Sequence, residues 1–141
     1  MYVTAYALPR FGPVARRIVV GAATANGIGA LLGGAGLLHD AEGMGYRESW
    51  LRGPFSDYTV PGLFLLVVIG GGMIVLAALA LAEGPAAPAV SYRMGLLLLA
   101  WLAIETLVIG YRGPVQIGFV IACGGSGLAL AWLGRRALTR S

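Results

Sequence analysis

The sequence is poor in the residue types from which soluble enzymes build catalytic and metal sites. Its 141 residues include one cysteine and one histidine, and all ten basic residues are arginine. A lone cysteine excludes a disulfide framework and a thiol metal site within one chain. Charged residues make up 11% of the chain, against about 25% in an average soluble protein, so the composition excludes an ordinary water-soluble domain.

The signatures of common catalytic sites are also missing. The sequence has no Gly-x-Ser-x-Gly elbow, no His-Glu-x-x-His, no phosphate-binding loop and no Cys-x-x-Cys. His39, Asp40 and Glu42 are close in sequence, but a catalytic zinc site needs three ligands in a defined geometry, which this glycine-rich segment does not specify. We therefore predict no enzyme activity, no metal and no cofactor. An enzyme that uses His39 and Asp40 is the least favoured interpretation.

Apolar residues, in contrast, make up 58% of the chain. They form four runs with almost no charge, at residues 18–38, 62–82, 94–110 and 115–134. A helix needs roughly 20 apolar residues, within a range of about 17–25, to cross a hydrocarbon core of about 30 Å. We therefore predict a single all-α domain over residues 1–141, an integral membrane bundle of four transmembrane helices. Residues 39–61 form its outer loop.

The arginines predict the orientation of the four spans. Seven lie on the side of the two termini, at positions 10, 16, 17, 93, 135, 136 and 140, and three lie on the other side, at positions 47, 52 and 112. Basic residues favour the cytoplasmic side, so both termini are predicted to be cytoplasmic. The first apolar run is longer than the 7–15 residues typical of a signal peptide core, and we expect a retained helix.

The positive charge does not indicate nucleic acid, although the net charge is +4. The arginines lie at the ends of apolar runs and form no single basic patch of the kind that binds nucleic acid. Arginine without lysine, together with 23 glycines and abundant alanine, is typical of a GC-rich bacterial genome. The sequence therefore predicts a multi-pass protein of the bacterial cytoplasmic (inner) membrane.

Glu105 is the one charge inside a span that requires an explanation. It lies about five residues before Gly110, on the order of 7 Å below the outer end at about 1.5 Å per residue. An ionisable group at such a position is a functional candidate by default. Arg112 lies two helical turns further along the same face, and Arg52 or His39 could also reach Glu105, so we expect either an ion pair or a protonated, hydrogen-bonding acid. Proton transport ordinarily requires a second titratable group inside the membrane, and the spans provide none.

Small residues mark the helix surfaces on which we expect close packing. Gly29-x-x-x-Gly33 in the first span and Gly118 with Ala122 in the fourth have the four-residue spacing that lets helix backbones approach in lipid. These surfaces are expected to hold the bundle together or to bind a partner. Asn26 on the first span is expected to hydrogen-bond to another helix, with substrate binding as the alternative.

The outer loop contains a recognisable segment. Residues 46–52 are expected to form a short helix on the membrane surface, with Trp50, Leu51 and Phe55 at the headgroup boundary. Asp57 can then turn the chain, Tyr58 can lie at the interface, and Pro61 can start the second helix.

Residues 54–62, Pro-Phe-Ser-Asp-Tyr-Thr-Val-Pro-Gly, carry a sequence signature. They resemble a Pro-Phe-x-Asp-Tyr-x-x-Pro-Gly pattern found in a group of small, uncharacterised four-helix bacterial membrane proteins. The resemblance covers about a tenth of the chain. It implies the four-helix architecture and the bacterial membrane, and it carries over no catalytic residues.

These observations favour a non-enzymatic function. We expect an accessory or scaffolding subunit that packs through its small-residue helix faces against another membrane protein subunit or against copies of itself, with the lipid bilayer as its surroundings. The alternative is a small transporter or channel that uses Glu105, Asn26 and Gln116 along a polar path. A continuous hydrated cavity at Glu105 would favour transport, and a sealed bundle with exposed small-residue grooves would favour assembly.

Overall fold

The computed structural model describes residues 8–51 and 56–140, and within them the chain is helical with short connections. Four helices carry the fold: α1 (Pro13–Asp40), α2 (Thr59–Leu81), α3 (Ala87–Ile109) and α4 (Pro114–Thr139). Each is long and apolar enough to cross a membrane. The prediction of an all-α chain with four helices of membrane-spanning length is therefore confirmed for the described residues.

The helices extend beyond the apolar runs from which they were predicted. α3 begins at Ala87, with Pro88 in its first turn, so Arg93 lies inside this helix and not in a connection. A charged residue does not end a helix, whereas proline favours a start and a glycine with positive φ favours a stop. α3 ends at Gly110, which has a φ of 79°.

α2 begins at Thr59, two residues earlier than the expected start at Pro61. Pro61 is the third residue of the helix, where the missing backbone N–H would have had no helical partner. Residues Phe64–Gly71 of α2 then form a π-helix, which has a wider turn than an α-helix. Such segments are rare and often occur near functional sites.

The helices pair as two hairpins, α1 with α2 and α3 with α4. Glycines bring the backbones together in each: a Cβ on Gly34 would lie 2.6 Å from the Leu66 nitrogen, and one on Gly134 would lie 2.5 Å from the Pro88 oxygen. The buried Ser91 hydroxyl of α3 also donates a hydrogen bond of 2.8 Å to the Leu130 oxygen of α4. Small residues at the interface are the usual means of helix association in lipid.

The bundle has two different ends. The terminal end contains residues 8–12, the turn at 82–86 and the end of α4; the loop end contains residues 41–51, 56–58 and 110–113. The half of the bundle towards the terminal end holds most of the buried core: Val19, Ala23, Met73, Leu76, Ala80, Met94 and Leu130. At this end Arg16 forms a salt bridge of 3.4 Å with Glu83.

Candidate functional site

Three neighbouring cavities occupy the half of the bundle towards the loop end, and Glu105 and Tyr46 line all of them. Each cavity is named after a residue that lines it and lines neither of the other two. The Leu51 cavity has a volume of about 160 Å³, the Asn26 cavity about 270 Å³ and the Gln116 cavity about 320 Å³. Helix α3 therefore places one acid where all three cavities meet.

The Glu105 carboxylate forms no hydrogen bond or ion pair with any described residue. Every fully buried side-chain nitrogen or oxygen in the described part of the chain is hydrogen-bonded. The unpaired carboxylate oxygens are therefore not sealed inside the protein, and they reach the surface of the cavities.

Arg112 does not pair with Glu105, so this one of the arrangements expected from the sequence is wrong, whereas Arg52 lies outside the described residues. Its Nε donates a 2.9 Å hydrogen bond to the Ile109 oxygen, and its guanidinium lies 4.9 Å from the ring centroid of Trp50. The seven-residue spacing does not place Arg112 on the same helix face as Glu105, because α3 ends at Ile109 and the chain turns before Arg112.

Gln116 holds the turn between α3 and α4. Its Oε1 accepts a hydrogen bond of 2.6 Å from the Arg112 backbone nitrogen, and its Nε2 donates one of 2.9 Å to the Gly110 oxygen. Both hydrogen bonds satisfy backbone groups that the two helix ends leave without helical partners. Gln116 also lines the Gln116 cavity, whereas Asn26 lines the Asn26 cavity. These two cavities share four lining residues: Met44, Tyr46, Glu105 and Phe119.

Asn26 does not hydrogen-bond to another helix, which corrects the expectation from the sequence. Its Nδ2 donates a hydrogen bond of 2.8 Å to the Ala22 oxygen, one turn earlier in α1. Asparagine can bond to nearby backbone as well as to a neighbouring helix. The choice depends on how α1 is rotated in the bundle, which the sequence spacing does not define.

The glycines predicted to pack helices do not make the close contacts inside this chain. A Cβ on Gly29 or Gly118 would meet nothing within 4 Å, and Ala122 is exposed. Gly33 makes only an ordinary contact, since its Cβ would lie 3.4 Å from Leu65 Cδ2. Within the chain the close approaches use neighbouring stripes instead, including Gly27, Gly34, Gly70, Gly95, Gly127 and Gly134. Each further residue rotates about 100° around a helix, so a shift of one or two positions selects a different face.

The outer segment reaches the cavities through aromatic residues. Tyr58 is buried, with 3% of its surface exposed, and its hydroxyl donates a 2.7 Å hydrogen bond to the Arg47 oxygen. Its side chain is therefore packed inside the protein. Asp57 Oδ1 accepts a hydrogen bond of 3.0 Å from the Thr59 nitrogen, which confirms that Asp57 turns the chain before α2.

The expected surface helix is reduced to one short 3₁₀ turn at Glu48–Trp50. Leu51 follows it and lines the Leu51 cavity. Phe55 and Arg52 lie outside the described residues.

Two aromatic pairs form the walls around Glu105, and the sequence did not single them out. The rings of Phe64 and Trp101 stack with centroids 5.1 Å apart, and those of Tyr46 and Tyr58 meet edge to face at 5.6 Å. Burial raises the pKa of the Tyr46 hydroxyl above its ordinary value, and the negative charge of Glu105 raises it further. No periodic pattern connects these residues, since three separate parts of the chain supply them.

The alternative site at His39 and Asp40 has no third ligand. Asp40 Oδ1 accepts a 2.9 Å hydrogen bond from the Gly43 nitrogen, as a residue at a helix end does. Among the residues that the structure describes, no three His, Cys, Asp or Glu side chains are grouped to hold a metal ion. The hydrogen bond of Asp40 therefore forms a turn at this end of α1.

Comparison of the chain with protein-family models, with curated proteins and with solved structures finds no match. The functional argument therefore depends on the geometry described above. Its principal elements are a carboxylate that borders three cavities and the exposed small-residue face of α4 at Gly118 and Ala122.

Proposed function

We propose that this chain is a non-enzymatic accessory or scaffolding subunit of a bacterial membrane assembly. In this proposal it lies in the cytoplasmic membrane as a multi-pass protein, with both termini in the cytoplasm. The arginine distribution supports that orientation. The resemblance of residues 54–62 to small four-helix bacterial membrane proteins supports the same placement and stays a prediction.

The main support is the contrast between covered and uncovered small residues. Inside the chain, Gly34, Gly95 and Gly134 bring helix backbones into direct contact. Gly118 and Ala122, four residues apart on α4, instead face outwards, with nothing within 4 Å of a Cβ on Gly118. In lipid, where burial of apolar surface does not drive helices together, such faces favour association through close backbone approach. A second membrane helix, from another protein or another copy, is the occupant that this surface fits.

Native mass spectrometry after gentle extraction from the source membrane tests this proposal. We expect stoichiometric association with another protein or with further copies. Gly118→Leu combined with Ala122→Leu should dissociate that complex, and Gly29→Leu combined with Gly33→Leu should weaken it. Gly21→Leu is the matched control, because it introduces the same side chain into open space elsewhere on α1.

A lone monomer from the source membrane, or a complex that the Gly118→Leu and Ala122→Leu variant leaves intact, would contradict the assembly proposal. Circular dichroism of each variant provides the necessary check, since a lost complex is informative only if the four helices are retained. Because neither Gly118 nor Ala122 packs against a helix of its own chain, we expect the fold of this variant to be unchanged.

The second candidate is a small transporter or channel that uses Glu105, and the three cavities around this residue favour it. The half towards the terminal end argues against it, because buried Met73, Leu76 and Leu130 fill the interior there. Solute flux into proteoliposomes separates the two functions. Flux that is lost on Glu105→Gln and retained on Glu83→Gln would replace the accessory proposal with transport.

A further inference from the structure

The cavities around Glu105 have an unusual charge balance. The Leu51 and Asn26 cavities are lined mainly by apolar and aromatic side chains, with Asn26 and Cys123 in the second, and Glu105 is their only charged lining residue among those described. A carboxylate in such surroundings is unfavourable unless it has a counter-charge or takes up a proton. The protein does not supply one from its described residues, since none of them forms an ion pair with Glu105.

Arg112 lines a cavity together with Glu105, but its side chain makes contacts with other residues. Arg112 lines only the Gln116 cavity, and its guanidinium lies over the Trp50 ring with its Nε bonded to the Ile109 oxygen. The terminal-end arginine that does pair with an acid, Arg16, pairs with Glu83. Among the described residues, Glu105 therefore makes the Leu51 and Asn26 cavities electrostatically complementary to a positive ligand.

The walls of these two cavities suit the same kind of ligand. Trp101 lines both, stacked on Phe64, and Tyr46 and Tyr58 supply two more rings. Aromatic faces attract organic cations, most strongly where water is excluded, and they also accept apolar groups. Volumes of about 160 and 270 Å³ in adjoining cavities leave space for a compact apolar body next to the carboxylate.

We propose that the Leu51 and Asn26 cavities form a binding site for a lipophilic organic cation, whose charge is neutralised by the Glu105 carboxylate. The apolar part of the ligand lies against Trp101 and Phe64, and its positive group lies at Glu105. This inference goes beyond the accessory function and does not depend on it, because Gly118 and Ala122 line none of the three cavities.

Isothermal titration of the full-length protein in detergent micelles with tetraphenylphosphonium tests the site, with triphenylphosphine oxide as a neutral probe of similar shape. We expect saturable binding of the cation to the unmodified protein. Glu105→Gln should weaken it by about tenfold or more, because a charge-assisted contact is lost. Glu83→Gln, the same change at the other end of the bundle, should leave it unchanged. The neutral probe should bind more weakly and should not distinguish the variants.

A second variant keeps the test decisive if Glu105→Gln fails to fold. Gly29 lines the Asn26 cavity and has open space around it, so Gly29→Leu should place its side chain in the cavity and weaken binding of the cation severalfold. Gly118→Leu is the control, because it lines no cavity and should leave binding unchanged while it weakens assembly.

Three results would overturn the proposal. Equal affinity of the cation for the unmodified protein and Glu105→Gln would show that the cavities accept only an apolar body, such as a lipid acyl chain. Tighter binding of the neutral probe than of the cation would assign the site to an uncharged lipophile. Absence of saturable cation binding to the unmodified protein would likewise overturn the proposal.

Discussion

The two halves of the four-helix bundle are packed in different ways. In α4 all buried residues lie between Gly127 and Ala137, in the half towards the terminal end, and none lies between Pro114 and Ser126. The half towards the loop end contains the three cavities, the π-helix of α2 and the unpaired Glu105. One half is built for close contact between α3 and α4. The other leaves space around an acid and has its close backbone approaches, such as that of Gly34 to Leu66, between α1 and α2. Stability is therefore expected to depend on the first half and ligand or partner binding on the second.

The largest difference between the halves is expected for the same substitution at two glycines. Gly95→Ala should lower the free energy of unfolding by about 2 kcal/mol, because its Cβ would meet the Ala131 nitrogen and lie 2.5 Å from the Gly127 oxygen. A Cβ on Gly29 would meet nothing within 4 Å. Gly29→Ala should therefore raise the free energy of unfolding by up to about 1 kcal/mol, since alanine favours a helix interior. Denaturation in mixed micelles, followed by circular dichroism, measures both. Equal effects would contradict the difference in packing.

The turn between α3 and α4 is expected to give the next largest effect. Gln116→Ala removes both hydrogen bonds to the turn, to the Arg112 nitrogen and the Gly110 oxygen, and should lower the free energy of unfolding by about 2 kcal/mol. Gln116→Glu keeps the acceptor for the Arg112 nitrogen. It should lower the free energy of unfolding by about half as much as Gln116→Ala does. The same micelle denaturation measures the pair, and a negligible effect of Gln116→Ala would show that these hydrogen bonds do not support the turn.

A smaller effect is expected for the interhelical hydrogen bond of the closely packed half. Ser91→Ala removes the bond from its hydroxyl to the Leu130 oxygen and should lower the free energy of unfolding by about 1 kcal/mol, the usual size between membrane helices. Ser126→Ala is the control, because its hydroxyl bonds to the Ala122 oxygen in its own helix. If Ser126→Ala lowered the free energy of unfolding more than Ser91→Ala, the half towards the terminal end would not be the tightly packed one.

The smallest effect concerns the electrostatics of the half towards the loop end. Since burial and then the charge of Glu105 raise the pKa of Tyr46, Glu105→Gln should bring this pKa part of the way back towards its ordinary value. The unfolded chain loses the Tyr46 proton first, so this contribution to stability is present below about pH 10 and is lost as the pH rises further. Phenolate absorbance, taken as the difference from Tyr46→Phe, reports the shift. No change on Glu105→Gln would indicate that the Glu105 charge does not reach Tyr46.

The sequence identified particular residues better than it identified their partners. Glu105 and Gln116 were selected because polar groups in apolar runs need an explanation, and both lie at the cavities. The predicted pairing of Glu105 with Arg112 was wrong because the helix ends between them. Asn26 bonds to its own helix, since helix rotation, which spacing does not define, decides whether a side chain meets a neighbour.

The aromatic walls and the π-helix had no usable signal in the sequence. Phe64, Trp101 and Tyr46 come from α2, α3 and the outer segment, and only the folded chain brings them to one acid. The segment Phe64–Gly71 reads as a uniform apolar run, so nothing in it distinguishes the wider turn from an α-helix.

By itself the sequence determined that the chain forms four long apolar helices, because run length, proline and glycine act locally and do not require a partner. It also determined that one acid would lie within the third apolar run. The tertiary structure decided which glycine stripe is covered, which hydrogen bonds Gln116 makes and that cavities surround Glu105. Those features depend on helix rotation and on contacts between residues far apart in the chain, which local pattern does not contain.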